Sequence, residues 1–199
     1  MKDLGILIAA GVGLYIISQR NKEKEPKKLN DNVGDTFEPE NQNENEDPVR
    51  SITADELTSG QINESEAYQV ALSAQQIEAL NSMFDIQLQI ANIALKYARN
   101  KNNFVEGANN DTQQYLIDLY EELIDCISDL IDEINNIGAN RPLTSDIIYA
   151  MEDFTICTQN IQASMSNQVG NPESIFTPES LQNLEQEIMQ VIPPGYEAF

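Results

Sequence analysis

Three patterns of apolar and polar positions follow one another along the chain. From Leu4 to Ser18 the run LGILIAAGVGLYIIS carries neither charge nor proline. From Leu29 to about Glu66 apolar side chains are sparse among Asn, Glu, Asp and Pro, as in NDNVGDTFEPENQNENEDPV. From Ala67 they return at helical spacing.

The returning pattern divides into four amphipathic segments. The first predicted helix, about Ser73 to Lys101, gathers Ile77, Leu80, Phe84, Leu88 and Leu95 with Ile86, Ile90, Ile93 and Tyr97 on a broad face. Lys96, Arg99 and Lys101 lie in its last turns, where the helix dipole favours cations. The second, about Asp111 to Ile137, has the clearest period. Leu116, Tyr120, Leu123, Ile127, Leu130, Ile134 and Ile137 recur at alternating spacings of 4 and 3, a heptad seam. Ile117, Ile124 and Ile131 widen that seam beyond the needs of a two-stranded coil, which favours a bundle core. Gly138 is placed to stop the helix.

The third helix, about Ser145 to Ser166, follows Pro142 and takes Thr144 or Ser145 as its cap. Its apolar face is read as Ile147, Ile148, Met151, Phe154, Ile156, Ile161 and Met165. The fourth opens with Thr177 as cap and Pro178 as first helical residue, presents Leu181, Leu184, Ile188 and Val191, and stops at Pro193-Pro194. The expected fold is all-α, an antiparallel up-down four-helix bundle over residues 67–192 with a C-terminal tail over 193–199. Residues 29–66 are expected to be a disordered acidic tether, because so few apolar groups cannot offset ordering entropy. Within it, SITADEL has the pattern of one weak helical turn.

The N-terminal run is short for a membrane span. A helix from Leu4 to Ile17 would be about 21 Å long, against a hydrocarbon core of about 30 Å. Ser18 and Gln19 extend it, and Lys2 and Arg20 can reach the headgroups. A cleaved signal would need a small-residue site after the apolar region, yet that region continues past Gly11 and Gly13. Burial inside a protein complex is the third alternative. The expectation is an uncleaved membrane anchor over residues 1–28. Arg20, Lys22, Lys24, Lys27 and Lys28 then place the body on the cytoplasmic side and the N-terminus outside, or the corresponding sides of a virion membrane. Gly5, Ala9 and Gly13, four apart, form a small-residue stripe suited to helix packing and self-association within the bilayer.

Charge narrows the partners. The net charge is −22, and 6 of the 11 basic residues lie at or before Lys28. The body should therefore repel nucleic acid and attract proteins with basic surfaces. The chain has no His, which removes Ser-His-Asp triads, HExxH zinc sites and imidazole proton shuttles. No phosphate-binding glycine motif occurs, and no cofactor is expected. Paired carboxylates could do acid-base work only in an organised cleft, which nothing in the pattern supplies.

Two features remain as candidate docking elements. Asp118, Glu122, Asp125, Asp129 and Asp132 each follow a seam residue by two positions, so they form a stripe opposite the seam with no neutralising Lys or Arg on that helix. Such a stripe suits a basic partner or weak Ca²⁺ or Mg²⁺ contact, and it also suits simple solvation. Tyr196 and Phe199, beyond the double proline, suit insertion into a neighbouring protein or a return onto the bundle. Cys126 and Cys157 lie nearly equidistant from a turn centred near Arg141. They should sit level on adjacent helices, partly buried, as free thiols in a reducing cytoplasm; in an extracellular particle they could oxidise slowly, a bridge requiring both side chains to point inward along the contact.

The apolar segment followed by a polar linker resembles the N-terminal organisation of small membrane-anchored virion proteins of large phages and DNA viruses. The functional expectation is a non-enzymatic, membrane-anchored structural or scaffolding protein, with a bacterial membrane-tethered adaptor or regulator docking a basic cytoplasmic partner as the alternative.

Overall fold

The computed structural model describes residues 50–52, 54–58, 60, 62, 64–166 and 174–193. The run Leu4–Ser18, the stripe Gly5, Ala9 and Gly13, and the tail residues Tyr196 and Phe199 lie outside the described residues. Among those described, no helix is long and apolar enough to cross a membrane.

The protein is mainly helical. A short strand β1 (Arg50–Ser51), helices α1 (Ala54–Thr58) and α2 (Glu64–Ala67), and strand β2 (Val70–Ala71) precede four longer helices: α3 (Ala74–Arg99), α4 (Asn110–Ile137), α5 (Ser145–Ser166) and α6 (Pro178–Val191). Their starts are set by local chemistry. Ser73 Oγ accepts from Gln76 N–H at 3.3 Å while Gln76 Oε1 accepts from Ser73 N–H at 2.8 Å, a complete capping box on α3. Asn109 caps α4 by accepting from Asp111 N–H, and Thr177 caps α6 by accepting from Ser180 N–H, with Pro178 next. Gly138 ends α4 at φ +75°, a backbone region that side chains with a Cβ rarely adopt.

Heptad seams hold the long helices together. In α4, Leu116, Leu123, Ile127, Leu130 and Ile134 are all 0 % exposed. Burying each such side chain is worth about 1.5–3 kcal/mol relative to exposure. The seam of α3 runs Leu80, Phe84, Gln87, Ala91, Ala94, Ala98, and that of α5 runs Ile147, Met151, Phe154, Thr158, Ile161, Met165, all buried. The packed pairs are α3 with α4, α4 with α5, and α3 with α6. Phe84 of α3 meets Phe154 of α5 edge-on at 5.3 Å, closing the arrangement across α4. No comparable packing joins α5 to α6 among the described residues.

Helix α6 lies along the C-terminal half of α3, in the opposite direction. Thr177 N–H donates to Asn103 O, Ser180 Oγ donates to the same oxygen, and Phe104 stacks on Phe176 at 4.7 Å. Further along, Glu187 accepts from Lys96 Nζ and Tyr97 Oη, each at 2.8 Å.

Three expectations need correction. The folded region includes residues ahead of Ala67: Arg50–Ser51 pairs in parallel with Val70–Ala71, and Ile52, Leu57 and Ile62 are buried in the core. A segment read as tether therefore supplies core side chains. The pair of strands also adds a small parallel ladder to an otherwise helical fold. It is continued by an antiparallel bridge from Ala71 to Pro142 and by Leu143 N–H donating to Val70 O. Finally, Ile156 does not belong to the buried face of α5; it is 53 % exposed, and Cys157 and Thr158 take the interior positions.

Candidate functional site

Helices with heptad seams have flanking rows one residue before each seam position, and the site is built from two such rows. On α4 the row is Glu122, Cys126, Asp129, Glu133 and Asn136; on α5 it is Asp146, Ala150, Asp153 and Cys157. Because α4 and α5 pack against each other, the two rows become the walls of a groove of about 720 Å³, open to solvent. Asp132, Tyr149 and Ile156 widen it. Tyr149 is 48 % exposed and Ile156 53 %, so apolar surface stands among the carboxylates.

A covalent tie crosses the groove. Cys126 and Cys157 form a disulfide with Cα atoms 7.0 Å apart, and both residues line the groove. The register read from the turn at Arg141 thus agrees with the structure. Of the two redox states left open, the structure holds the oxidised one: the side chains of both flanking rows meet where the walls approach, which brings the two sulfurs together. Cys157 is buried and Cys126 partly so.

The groove is acidic on both sides. Glu122, Asp129, Asp132 and Glu133 come from α4, Asp146 and Asp153 from α5, and among the described residues no Lys or Arg lines it. Of the five basic residues after Lys28, three pair elsewhere, Arg50 with Glu56, Lys96 with Glu187 and Arg99 with Glu121, while Lys101 and Arg141 are exposed, Arg141 in the turn between α4 and α5. These pairs are largely exposed and contribute little to stability.

Of the stripe read from sequence, Glu122, Asp129 and Asp132 line the groove, whereas Asp118 and Asp125 are exposed outside it. Asp118 instead accepts from Gln114 Nε2 one turn away, at 2.7 Å. Glu122 and Asp129 belong both to that stripe and to the row one position before the seam, because the seam spacing of 3 makes the two coincide there; Asp118, Asp125 and Asp132 lie about 60° or less around the helix from them, from 100° per residue. The stripe thus contains two of the carboxylates that face α5, but not Glu133, Asp146, Asp153 or Tyr149. Among the described residues no group of three or more His, Cys, Asp or Glu side chains is arranged to hold a metal ion.

Two titrating contacts lie at the far side of the bundle. Lys96 and then Tyr97, through their hydrogen bonds, hold the Glu187 carboxyl below its ordinary range. Burial first, and Glu187 second, push the Tyr97 phenol up to about 12, and burial alone raises that of Tyr120. Comparison with protein-family models, curated proteins and solved structures gives no match for this chain.

Proposed function

We propose that the chain is a non-enzymatic, membrane-anchored structural or scaffolding protein, with an antiparallel up-down four-helix body that receives the basic surface of another protein in the groove between α4 and α5. The observation carrying this reading is that both walls of the groove are acidic, with no Lys or Arg among the described lining residues and with Tyr149 and Ile156 exposed among the carboxylates. A partner segment bearing Lys or Arg beside apolar side chains complements that combination in charge and in surface type. The uncharged run Leu4–Ser18 with its basic flank would hold the body at a bilayer, and Gly5, Ala9 and Gly13 would let copies associate there. Between a virion component and a cytoplasm-facing adaptor, the disulfide favours the first, because such bonds persist where thiols are not kept reduced.

The test is binding of a lysine-rich amphipathic peptide to the full chain in neutral detergent micelles, followed by fluorescence anisotropy at several salt concentrations. Asp129→Asn with Asp153→Asn should weaken binding about tenfold or more, whereas Asp118→Asn with Asp125→Asn, an equal change in charge outside the groove, should weaken it only slightly. Equal effects of the two pairs would reduce the groove to a solvated face.

A further inference from the structure

We propose that the Cys126–Cys157 bridge is a thiol–disulfide exchange site gated by charge, reactive toward cationic thiols and guarded against anionic ones. The bridge is not sealed in the core. Cys157 is 4 % exposed, but Cys126 is only partly buried, and both residues line the open groove. Glu122 and Asp129 flank Cys126 in its own row, Asp153 precedes Cys157 by one turn, and among the described residues no Lys or Arg lines the groove.

The attacking species in exchange is a thiolate, so every attacker brings negative charge into this field. An attacker carrying its own ammonium or guanidinium group enters with that charge offset. One carrying a carboxylate enters with it doubled. The incoming sulfur bonds to the Sγ of Cys126, the less buried residue of the two, and the Cys126–Cys157 bond breaks. Its electron pair leaves on Cys157 Sγ, which takes a proton from water; Glu122 O, 4.0 Å away, is placed to accept the resulting weak S–H donor. A second thiolate attacks the mixed disulfide and releases Cys126 as a thiol. In sum, two external thiols are oxidised to their own disulfide and the protein bridge is reduced by two electrons. The fitting reagents are aminothiols, or a polypeptide cysteine set among Lys and Arg.

The inference rests on the groove's charge and not on capture of a partner protein, so small thiols suffice to test it. The full chain in neutral detergent is exposed to cysteamine, mercaptoethanol or mercaptopropionate, and loss of the bridge is followed by maleimide labelling, with rates expressed per thiolate. Hydroxyethyl disulfide serves as an uncharged reference. Each unit of charge on the attacker should alter the rate on the order of threefold near physiological ionic strength, where the Debye length is about 8 Å. Cysteamine should thus exceed mercaptopropionate by about tenfold more than it does on the reference, and that excess should vanish near 1 M salt, where the Debye length is about 3 Å. Asp129→Asn with Asp153→Asn should shrink the excess, and Asp118→Asn with Asp125→Asn should shrink it less. The proposal is overturned if the rate ratio matches the reference at low salt, or if it does not respond to salt or to the groove substitutions.

Discussion

Thr158 offers a test of the core that no cavity complicates. It occupies a seam position of α5, is 5 % exposed, and its Oγ1 is buried without a hydrogen-bond partner. Leaving a hydroxyl desolvated and unpaired costs about 1–3 kcal/mol. Thr158→Val keeps the shape, replaces the hydroxyl by a methyl group worth about 0.8 kcal/mol when buried, and changes helix propensity little. Allowing for partial burial in the unfolded chain, the variant should be more stable by about 1–2 kcal/mol. Urea unfolding of the full chain in neutral detergent, followed by far-ultraviolet circular dichroism, should show the midpoint raised by about 0.5–1 M at unchanged slope, for a slope near 2 kcal/mol/M. Gln87, 2 % exposed on the α3 seam with an unpartnered Oε1, stands about one turn beyond Phe84, as Thr158 stands one turn beyond Phe154. Unchanged or lower stability of Thr158→Val would show that its hydroxyl is satisfied, with Gln87 the first partner to examine, and would refute the reasoning.

Two further outcomes follow from the covalent tie and the titrating groups. The bridge spans a sequence separation of 31, so Cys126→Ala with Cys157→Ala should lower stability by about 3–4 kcal/mol. Calorimetry should record that loss as a fall in Tm of roughly 10 °C; a change of a degree or less would mean that the bridge does not constrain the unfolded chain. The Glu187 carboxyl is lowered in the fold from 4.5, so its contribution is present above that pH and lost as pH falls through the lowered value. The Tyr97 phenol is raised from 10.0 to about 12, so the unfolded chain ionises first and stability should decline across that interval as pH rises. Glu187→Gln should flatten the acid limb and Tyr97→Phe the alkaline limb of stability measured against pH; limbs identical to the parent's would sink the assignment.

The legibility of this chain varied with the kind of side chain that fills a seam. In α4 every seam position from Leu116 to Ile137 carries Leu, Ile or Tyr, so the period is visible and each of them is buried; Gln113, one step earlier, is buried too. In α3 the same period runs through Gln87, Ala91, Ala94 and Ala98, which do not stand out beside the larger but half-buried Ile86, Leu88 and Ile93. In α5 Thr158 breaks the apolar row, and neighbouring Ile156 imitates a core residue while facing solvent. The N-terminal segment failed for a different reason. Ile52, Leu57 and Ile62 have no helical or strand period among their polar neighbours, and they are buried through contacts remote in sequence, such as the ladder to Val70–Ala71. The groove required knowing which helix packs beside α4. Its carboxylates were visible on that helix, but the facing wall on α5 was not.

The parallel pairing of Arg50–Ser51 with Val70–Ala71 has a mechanical meaning. Any tension arriving along the chain ahead of Arg50 pulls β1 backward along its own axis, while β2 continues forward into α3. The two strands are thereby loaded in shear, and the bonds from Arg50 N–H to Gln69 O and from Ile52 N–H to Ala71 O bear the force together rather than in succession. Behind them, Gln76 Nε2 donates to Ile52 O, which couples the same strand to the first turn of α3. The strand pair is thus built as a load-sharing clasp, so a force that would peel a hairpin open one bond at a time must here break a set of bonds at once.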